Sequence, residues 1–425
     1  MSDSPLIVID NHKEESFQVT WDMSPRCNYD CSYCPPTRHD NFSKHPSLEE
    51  LRYTFDGIVR YFKTLNAYVK HKQVLTISMT GGEPTNNPAL LPFLEEVSSK
   101  YPDVLLGITS NGTFSEKYCD RMIDMGVRCT ISYHCEADPK IKKRVVERIY
   151  QLSRKTKVKC NLMFHMDYFD ECVDLANRFI EDRILFIPRI IGEPGALIPP
   201  YTHTYTESQM QVFKDFFRRS KLIVKDKKVS RGDNNLNEKK ILTKKKKLVK
   251  GKKDETKPDL IKFTDKTLDA IEKKPTENSK KMEKHTVSGL GRPCCGGRIF
   301  CSQDKSRRSE NTTFVKHTEF RGWKCMVNWH WLHIEQHTDK IFHHQTCQAT
   351  FNTSRGHIGL ISKFDELINK LQKQLDTGEM PVIVCSKRNC GCGLCLSKAK
   401  EDVDIKRLFA KTTVGLKPLI GEKLY

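Results

Sequence analysis

Short apolar runs alternate with amphipathic stretches along the first half of the chain. Six runs have the length and the β-branched or aromatic content of buried strands, and they cover residues 17–21, 74–79, 104–109, 127–133, 158–164 and 184–187. Between these runs, apolar positions recur every three or four residues, which is the period of a helix that buries one face. The alternation predicts βα units arranged around a parallel sheet.

Two of the predicted helices begin with clear start signals. Ser47 and Glu50 have the spacing of a capping box, in which each side chain bonds the backbone N–H of the other residue. Asp138 followed by Pro139 pairs a capping side chain with a proline at the first helical position. Because crossovers between parallel strands are right-handed, six such units predict a partial TIM-like (β/α)6 barrel, an α/β fold with its chemistry at the carboxyl ends of the strands.

Charge and composition divide the chain into three parts. Residues 221–284 hold 21 Lys and one Arg against 11 Asp and Glu. The excess of positive charge in this segment is more than half of the chain's net charge of +19. This Lys-rich segment cannot bury enough apolar surface to become ordered, which predicts a disordered linker between a barrel domain at 1–220 and a small Cys-rich α+β domain at 285–425. The alternative is a tether that binds nucleic acid or a partner. In the last domain, apolar positions predict a helix over 364–375.

The chain lacks the sequence features of a secreted or membrane protein. No run approaches the roughly 18 apolar residues that span a bilayer, and the first residues show no basic flank before an apolar stretch. We therefore expect a cytoplasmic protein without membrane contact. Its 17 cysteines, an odd number in tight groups, favour metal or redox sites over a disulfide framework.

The first group of cysteines directly follows the first predicted strand. Cys27, Cys31 and Cys34 lie on one short loop, and such thiolates bind zinc or iron–sulfur clusters. Three thiolates leave one iron of a four-iron cluster open, which suits a catalytic cluster. A structural zinc site, or unrelated buried thiols, is the alternative interpretation.

This cysteine group resembles the signature of the radical S-adenosylmethionine (SAM) superfamily, C-x3-C-x-aromatic-C, with Tyr33 as the aromatic residue. The resemblance implies that the three cysteines hold a [4Fe–4S] cluster, that SAM binds the fourth iron, and that Tyr33 lies against the adenine. It also implies that the reduced cluster splits SAM to a 5′-deoxyadenosyl radical, which takes hydrogen from a substrate C–H bond. Such an enzyme is oxygen-sensitive and needs a reductant such as flavodoxin or ferredoxin.

Residues at the ends of other predicted strands fit the same family. Gly81, Gly82 and Glu83 follow the second strand and resemble the family's GGE motif, which binds the methionine amino group of SAM. By the same resemblance, further cofactor contacts are expected at Ser110, Asn111, Ser132 and Arg189. Each of these residues also fits ordinary turn chemistry or, for the arginine, a structural ion pair. Two interpretations of His134 stay open, an ordinary residue at the end of a strand and a catalytic base.

The second concentration of cysteines lies near the C-terminus. The best candidate ligands there are Cys325, Cys347, Cys385, Cys390, Cys392 and Cys395. With a hairpin pattern between the first two, they resemble the SPASM and twitch domains that hold auxiliary clusters in the superfamily, although Phe342 replaces a usual glycine. The resemblance implies an auxiliary iron–sulfur cluster on the first two cysteines and two of the others. Zinc held with nearby histidines is the alternative, and Cys294 and Cys295 stay unassigned.

The resemblance leaves the substrate open. Relatives with such C-terminal domains act on peptides, proteins or small molecules, and the Lys-rich segment keeps tRNA or another nucleic acid as an alternative. The rival interpretation is a non-enzymatic, zinc-stabilised protein that binds nucleic acid through that segment.

Overall fold

The structure is a computed structural model, and it describes residues 7–10, 16–34, 39–69, 72–156, 158–191, 205–229, 298–301, 321–343, 357–379, 381–385, 398–403 and 405–406. The predictions for Cys294, Cys295, Cys347, Cys390, Cys392 and Cys395, and for the Lys-rich segment beyond residue 229, lie outside these residues. The chain divides into two units, one of residues 1–220 and 292–425 and one of residues 221–291. Of the second unit, the structure describes the end of one helix.

The elements that position the site belong to the first unit. The N-terminal elements are β1 (Ile7–Asp10), β2 (Ser16–Asp22), α1 (Leu48–Asn66), β3 (Val74–Thr80), α2 (Leu90–Lys100), β4 (Leu105–Ser110), α3 (Glu116–Met125), β5 (Arg128–Tyr133), α4 (Pro139–Lys155), β6 (Val158–Phe164), α5 (Phe169–Glu181), β7 (Phe186–Ile190) and α6 (Glu207–Val229). The C-terminal elements are β8 (Arg298–Cys301), β9 (Lys324–Cys325), β10 (Trp331–Glu335), β11 (Lys340–Phe342), β12 (Gly359–Leu360), α7 (Phe364–Asp376), β13 (Ile383–Val384) and β14 (Lys398–Ala399).

Strands β2 to β7 form a parallel sheet in which neighbours in space are neighbours in the chain. Every crossover therefore moves the same way across the sheet. Since such crossovers are right-handed, the helices collect on one face and the sheet curls as in a partial barrel. The six predicted strands and the α/β class are confirmed. The capping box at Ser47 and the cap at Asp138 also form as predicted.

The two faces of this sheet differ in character. Alternate residues of β2, Phe17 and Trp21, contact the rings of Tyr61 on α1 and Phe93 on α2, and they are fully buried. Side chains on a strand alternate between the two faces of the sheet, so the even-numbered residues of β2 point away from the helices. We call that side the inner face. It carries Thr20, Ser78, Thr109, Ser132, Lys159, Asn161 and Arg189.

The sheet continues beyond the six predicted strands. Strand β10 lies parallel to β2, and β11 and β12 follow it outward. Trp331 donates from Nε1 to Thr20 Oγ1 at 3.3 Å across the inner face. The sheet therefore contains strands from both of the predicted domains, because β2 would otherwise expose a row of unpaired backbone groups, which β10 satisfies.

Helix α7 packs the same C-terminal segment against the helices that cover the sheet. The Phe364 ring lies against α1 at Gly57, where an added Cβ would come within 2.4 Å of the ring. Arg60 of α1 pairs with Asp365 at the start of α7. The predicted helix over 364–375 is thus present one residue longer, and it covers the sheet beside α1. Within the described residues, no helix is long and apolar enough to cross a membrane.

Buried His330, just before β10, predicts a pH-dependent stability. Burial lowers its pKa from 6.5 to about 4, while its Nδ1 lies 3.0 Å from Gln73 Nε2. The unfolded chain therefore binds a proton near pH 6.5, before the folded chain does, and the free energy of unfolding falls as the pH drops from about 6.5 to about 4. The contribution is of the order of 3 kcal/mol at most.

Urea unfolding of the wild type and of His330→Asn, which keeps an acceptor near Nδ1 but cannot titrate, checks this expectation at pH 7 and pH 4.5. The variant should lose less stability on acidification. Equal losses in the two proteins would contradict it.

Candidate active site

The loop that carries the three N-terminal cysteines is held by the backbone of the turn after β3. Gly82 N donates to Ser24 O at 2.7 Å, and Glu83 N donates to Arg26 O at 2.8 Å. On its other side, Cys27 N donates to Asp40 O at 2.7 Å. The loop therefore has a defined path directly above the carboxyl ends of β2 and β3.

The two glycines of the turn make this approach possible. Gly81 has φ of +138°, a conformation that side chains rarely adopt. A Cβ on Gly82 would lie 2.3 Å from the carbonyl oxygens of Pro25 and Arg26. In the structure, the backbone that these two glycines approach most closely is that of the cysteine loop.

The carboxylate of Glu83 is buried, with 1% of the residue exposed. Its Oε1 accepts from Thr85 N at 3.0 Å and Ser110 Oγ at 2.8 Å, and its Oε2 accepts from Asn111 N at 2.6 Å. Burial raises the pKa of Glu83, while these donors lower it. No cationic side chain among the described residues bonds this carboxylate.

Asn111 connects this carboxylate to the cysteine loop. Its backbone bonds Glu83, and its Nδ2 donates to Asn28 Oδ1 at 2.8 Å. Asn28 in turn donates to Thr113 Oγ1 at 3.0 Å. The predicted residues Ser110 and Asn111 thus lie in the site, where their described bonds go to Glu83 and the loop.

The three thiols form no disulfide, are half-buried and lie within electrostatic reach of one another. Burial raises the pKa of Cys31 to about 12, and the charges of Glu136, Cys27 and Cys34 act in the same direction. Three thiols without disulfides, on one loop, are a donor set that fits an iron–sulfur cluster, because bound metal would stabilise the thiolates. Among the described residues, no three Cys, His, Asp or Glu side chains converge on a site for a single metal ion.

Tyr33 lies on this loop between Cys31 and Cys34, and it is buried, with 8% of its surface exposed. Its ring stacks on His134, with centroids 5.9 Å apart and planes 8° from parallel. His134 Nδ1 also lies 3.3 Å from Cys31 Sγ. Burial lowers the pKa of His134 to about 4, so the imidazole at this position is neutral. The structure places His134 in the site, and whether it acts as a base stays a prediction.

Sequence reasoning missed Glu136, which ties the loop to the end of β5. Its Oε2 accepts from Ser32 N at 3.1 Å, and its Oε1 lies 3.3 Å from Nε2 of buried His165. Glu136 is two residues beyond His134, so the strand-end spacing was a signal that it shares a side with the imidazole. Its partner Ser32 is distant in the chain and gave no such signal.

The remaining predicted cofactor contacts lie farther along the inner face. Ser132 is on β5 opposite Asn161 of β6, and Arg189 is on β7 opposite Met163. Neither shares a described hydrogen bond with the cysteine loop or with Glu83. Their roles remain predictions.

Two of the predicted auxiliary ligands are close in a separate three-stranded sheet. Cys325 on β9 lies opposite Ile383 of β13, and Cys385 N donates to Trp323 O at 2.8 Å. This register places Cys325 and Cys385 on the same face of the sheet. Their partners among the later cysteines lie outside the described residues.

A barrel sheet with a three-thiol loop and a buried carboxylate at the carboxyl ends of its strands defines a class of enzyme domain built around a metal cluster. Residues 21–161 match the Radical SAM superfamily, and this range includes the cysteine loop, the glycine turn and Glu83. The chain therefore contains a radical SAM domain, and the enzymes of that superfamily use a [4Fe–4S] cluster and SAM as cofactors.

Curated relatives match part of the chain. A GTP 3′,8-cyclase of Campylobacter curvus is 30% identical over 109 residues, which is 25% of this chain and 30% of that protein. The FeMo cofactor biosynthesis protein NifB of Methanocaldococcus jannaschii is 22% identical over 129 residues, 30% of this chain and 43% of that protein. The chain therefore covers less than half the length of each of these relatives.

Among solved structures, SuiB of Streptococcus suis aligns with a TM-score of 0.44 and 11% identity, over 85% of this chain and 68% of that one. BtrN in complex with AdoMet and 2-DOIA aligns with a TM-score of 0.27 and 16% identity, over 49% of this chain and 86% of that one.

The close contact at Gly82 predicts that its replacement displaces the cysteine loop. We expect Gly82→Ala to lower the iron retained per chain after anaerobic reconstitution by more than about half of the four irons that one cluster holds, because the new Cβ must move the backbone of Pro25 or Arg26. Gly107→Ala on β4 is the matched control, since its Cβ would find neighbours no nearer than 3.5 Å. Iron and sulfide assays give the readout. Equal iron in the two variants would show that the turn does not position the loop.

Proposed function

We propose that this chain is a radical SAM enzyme that removes hydrogen from a C–H bond of a small anionic molecule. The observation that carries this proposal is the joining of three thiols, on one loop and in no disulfide, to a buried carboxylate that has no cationic partner among the described residues. The match of residues 21–161 to the Radical SAM superfamily supports the cofactor chemistry.

The residues of the site have separable roles in this proposal. Cys27, Cys31 and Cys34 would hold the cluster, and Tyr33 would lie against the adenine. When bound, the cluster and SAM supply a 5′-deoxyadenosyl radical that abstracts hydrogen. The protein's own part is to orient the cofactor and to keep water from the reacting atoms.

Glu83 is suited to hold the amino group of SAM. A buried carboxylate costs free energy unless it is paired, and here only neutral donors from Thr85, Ser110 and Asn111 bond it. An ammonium group supplies the missing positive charge. Asn111 bonds both Glu83 and the cysteine loop. It would therefore fix the position of the SAM amino group relative to the cluster.

The substrate class follows from charge on the inner face. Lys159 of β6 is largely buried, and burial lowers its pKa, with a further decrease from nearby Arg189 of β7. No described carboxylate lies within ion-pair distance of Lys159. Beside it, Asn161 Oδ1 is buried without a hydrogen-bond partner among the described residues. Two adjacent cations with a spare polar group suit a phosphate or carboxylate of a substrate.

A small anionic substrate is favoured over a peptide for this reason. The name of the relative from Campylobacter curvus includes GTP, a molecule of this class. We also propose that Cys325 and Cys385 contribute to an auxiliary iron–sulfur cluster, and that a flavodoxin or ferredoxin supplies electrons. The absence of a disulfide at these two cysteines fits a reducing compartment such as the cytoplasm.

Cleavage of SAM tests the cofactor chemistry. The reconstituted, dithionite-reduced protein should release 5′-deoxyadenosine from SAM, and the triple variant Cys27→Ala, Cys31→Ala, Cys34→Ala should release none, because it lacks the ligands. Chromatography of the quenched reaction measures the product. Iron analysis of the triple variant separates the two centres: about four irons per chain should remain if an auxiliary cluster exists. A wild type that binds iron but makes no 5′-deoxyadenosine would refute the proposal.

Binding of GTP as a probe tests the substrate class. In the presence of SAM we expect GTP to bind the holoenzyme at least about tenfold more tightly than guanosine, since a charge-assisted bond to Lys159 is lost without phosphate. Lys159→Met should remove most of that difference. Lys214→Met on the outer surface of α6 is the control and should retain it. Calorimetry that shows equal binding of GTP and guanosine would contradict an anionic subsite for this probe.

A further inference from the structure

An open cleft of about 440 Å³ lies between the beginnings of α3 and α4 on the outer surface. Its charged lining consists of Lys140, Lys143, Arg144, Arg148, Glu116 and Glu147. Arg148 and Glu116 pair at 3.8 Å, which accounts for one cation. Lys140, Lys143 and Arg144 have no ion-pair partner within 4.0 Å among the described residues. We call these three residues the α4 cations.

The α4 cations lie near the N-terminus of α4, where positively charged side chains destabilise a helix. The N-terminus of a helix carries a partial positive charge, which favours acidic residues in the first turn. The first turn of α4 has no acidic residue, and Asp138 at the cap bonds the backbone of Lys140. Lys142, in the same turn, is accounted for by its pair with Glu171 at 2.6 Å. The exposed α4 cations therefore destabilise the start of α4. This indicates that they bind a negatively charged partner.

The cleft lies beside the cysteine loop. Asn28, exposed between Cys27 and Cys31, bonds Thr113, which is two residues before Ser115 in the lining of the cleft. Gly112, next to Thr113, contacts Val145, the neighbour of Arg144; an added Cβ on this glycine would lie 3.1 Å from Val145 Cγ1.

We propose that the α4 cations form the docking surface for an acidic protein that donates single electrons to the cluster. This inference rests on the proposed function, because a cluster that splits SAM consumes one electron from outside in each cleavage. The donor must approach the cluster closely, and the cysteine loop reaches the surface beside the α4 cations. Opposite charges across such a contact raise the association rate and orient the donor.

Charge reversal tests this assignment with the holoenzyme. We expect the triple variant Lys140→Glu, Lys143→Glu, Arg144→Glu to form 5′-deoxyadenosine at least about tenfold more slowly than the wild type when an acidic flavodoxin is the donor at low ionic strength. With dithionite as the donor, the two proteins should agree within about twofold. The difference with flavodoxin should shrink above about 0.3 M salt.

A second triple variant separates this surface from the chain's overall charge of +19, which attracts any acidic protein. Lys63→Glu on α1 with Lys370→Glu and Lys373→Glu on α7 removes the same charge from exposed positions on other helices. This control should keep flavodoxin-driven activity within about twofold. An equal loss in both triple variants would overturn the assignment.

Binding of oxidised flavodoxin, measured by calorimetry, supplies a readout that does not depend on SAM cleavage. The affinity should fall about tenfold in the α4 variant alone. Unchanged affinity would overturn the proposal, and so would binding of inorganic phosphate in the cleft with flavodoxin-driven activity intact. Failure of the wild type to form 5′-deoxyadenosine with dithionite would instead refute the proposed function.

Discussion

The contact between two backbones, at the glycine turn after β3 and at the loop after β2, is the constraint on which the site depends. Hydrogen bonds from Gly82 and Glu83 to the carbonyls of Ser24 and Arg26 hold the loop where the strands end. Carbonyl oxygens 2.3 Å from a would-be Cβ show that no side chain fits between the two backbones. A flexible run of three cysteines thereby becomes a fixed set of donors, and the next residue of the same turn is the carboxylate of the site.

Glu83 links this backbone contact to the buried carboxylate of the site. Its backbone positions the cysteine loop while its side chain collects bonds from Ser110 and Asn111 at the end of β4. The same Asn111 bonds Asn28 on the loop. Three consecutive strand ends are therefore joined through one buried charge. A change at any of these positions would alter both the donors for a cluster and the acceptor for a cationic ligand, so the two functions are mechanically linked.

The sequence predicted most of the barrel and less of what surrounds it. Runs such as 158–164 and the caps at Ser47 and Asp138 are local patterns, and local patterns are what hydrophobic periodicity reports. The pairing of β10 with β2 could not be found that way, because the two strands lie more than 300 residues apart in the chain and only the folded sheet brings them together. Glu136 was missed for the same reason, since its role depends on Ser32, a residue distant in sequence. The two glycines belong to a predicted motif, but the pattern alone did not say which backbone approaches them.

Charge on the barrel is sorted by position, and this sorting bears on how the site distinguishes its ligands. The buried negative charge lies at β3 and β4, in Glu83, whereas the inner-face cations Lys159 and Arg189 lie at β6 and β7. A positively charged ligand is therefore favoured on one side of the barrel and a negatively charged ligand on the other. Each group would weaken the binding of the wrong ligand, because like charges in a partly desolvated site repel strongly. The cysteine loop lies on the Glu83 side, so in the proposed function this polarity would orient the cofactor toward the loop and an anionic substrate toward the opposite strands.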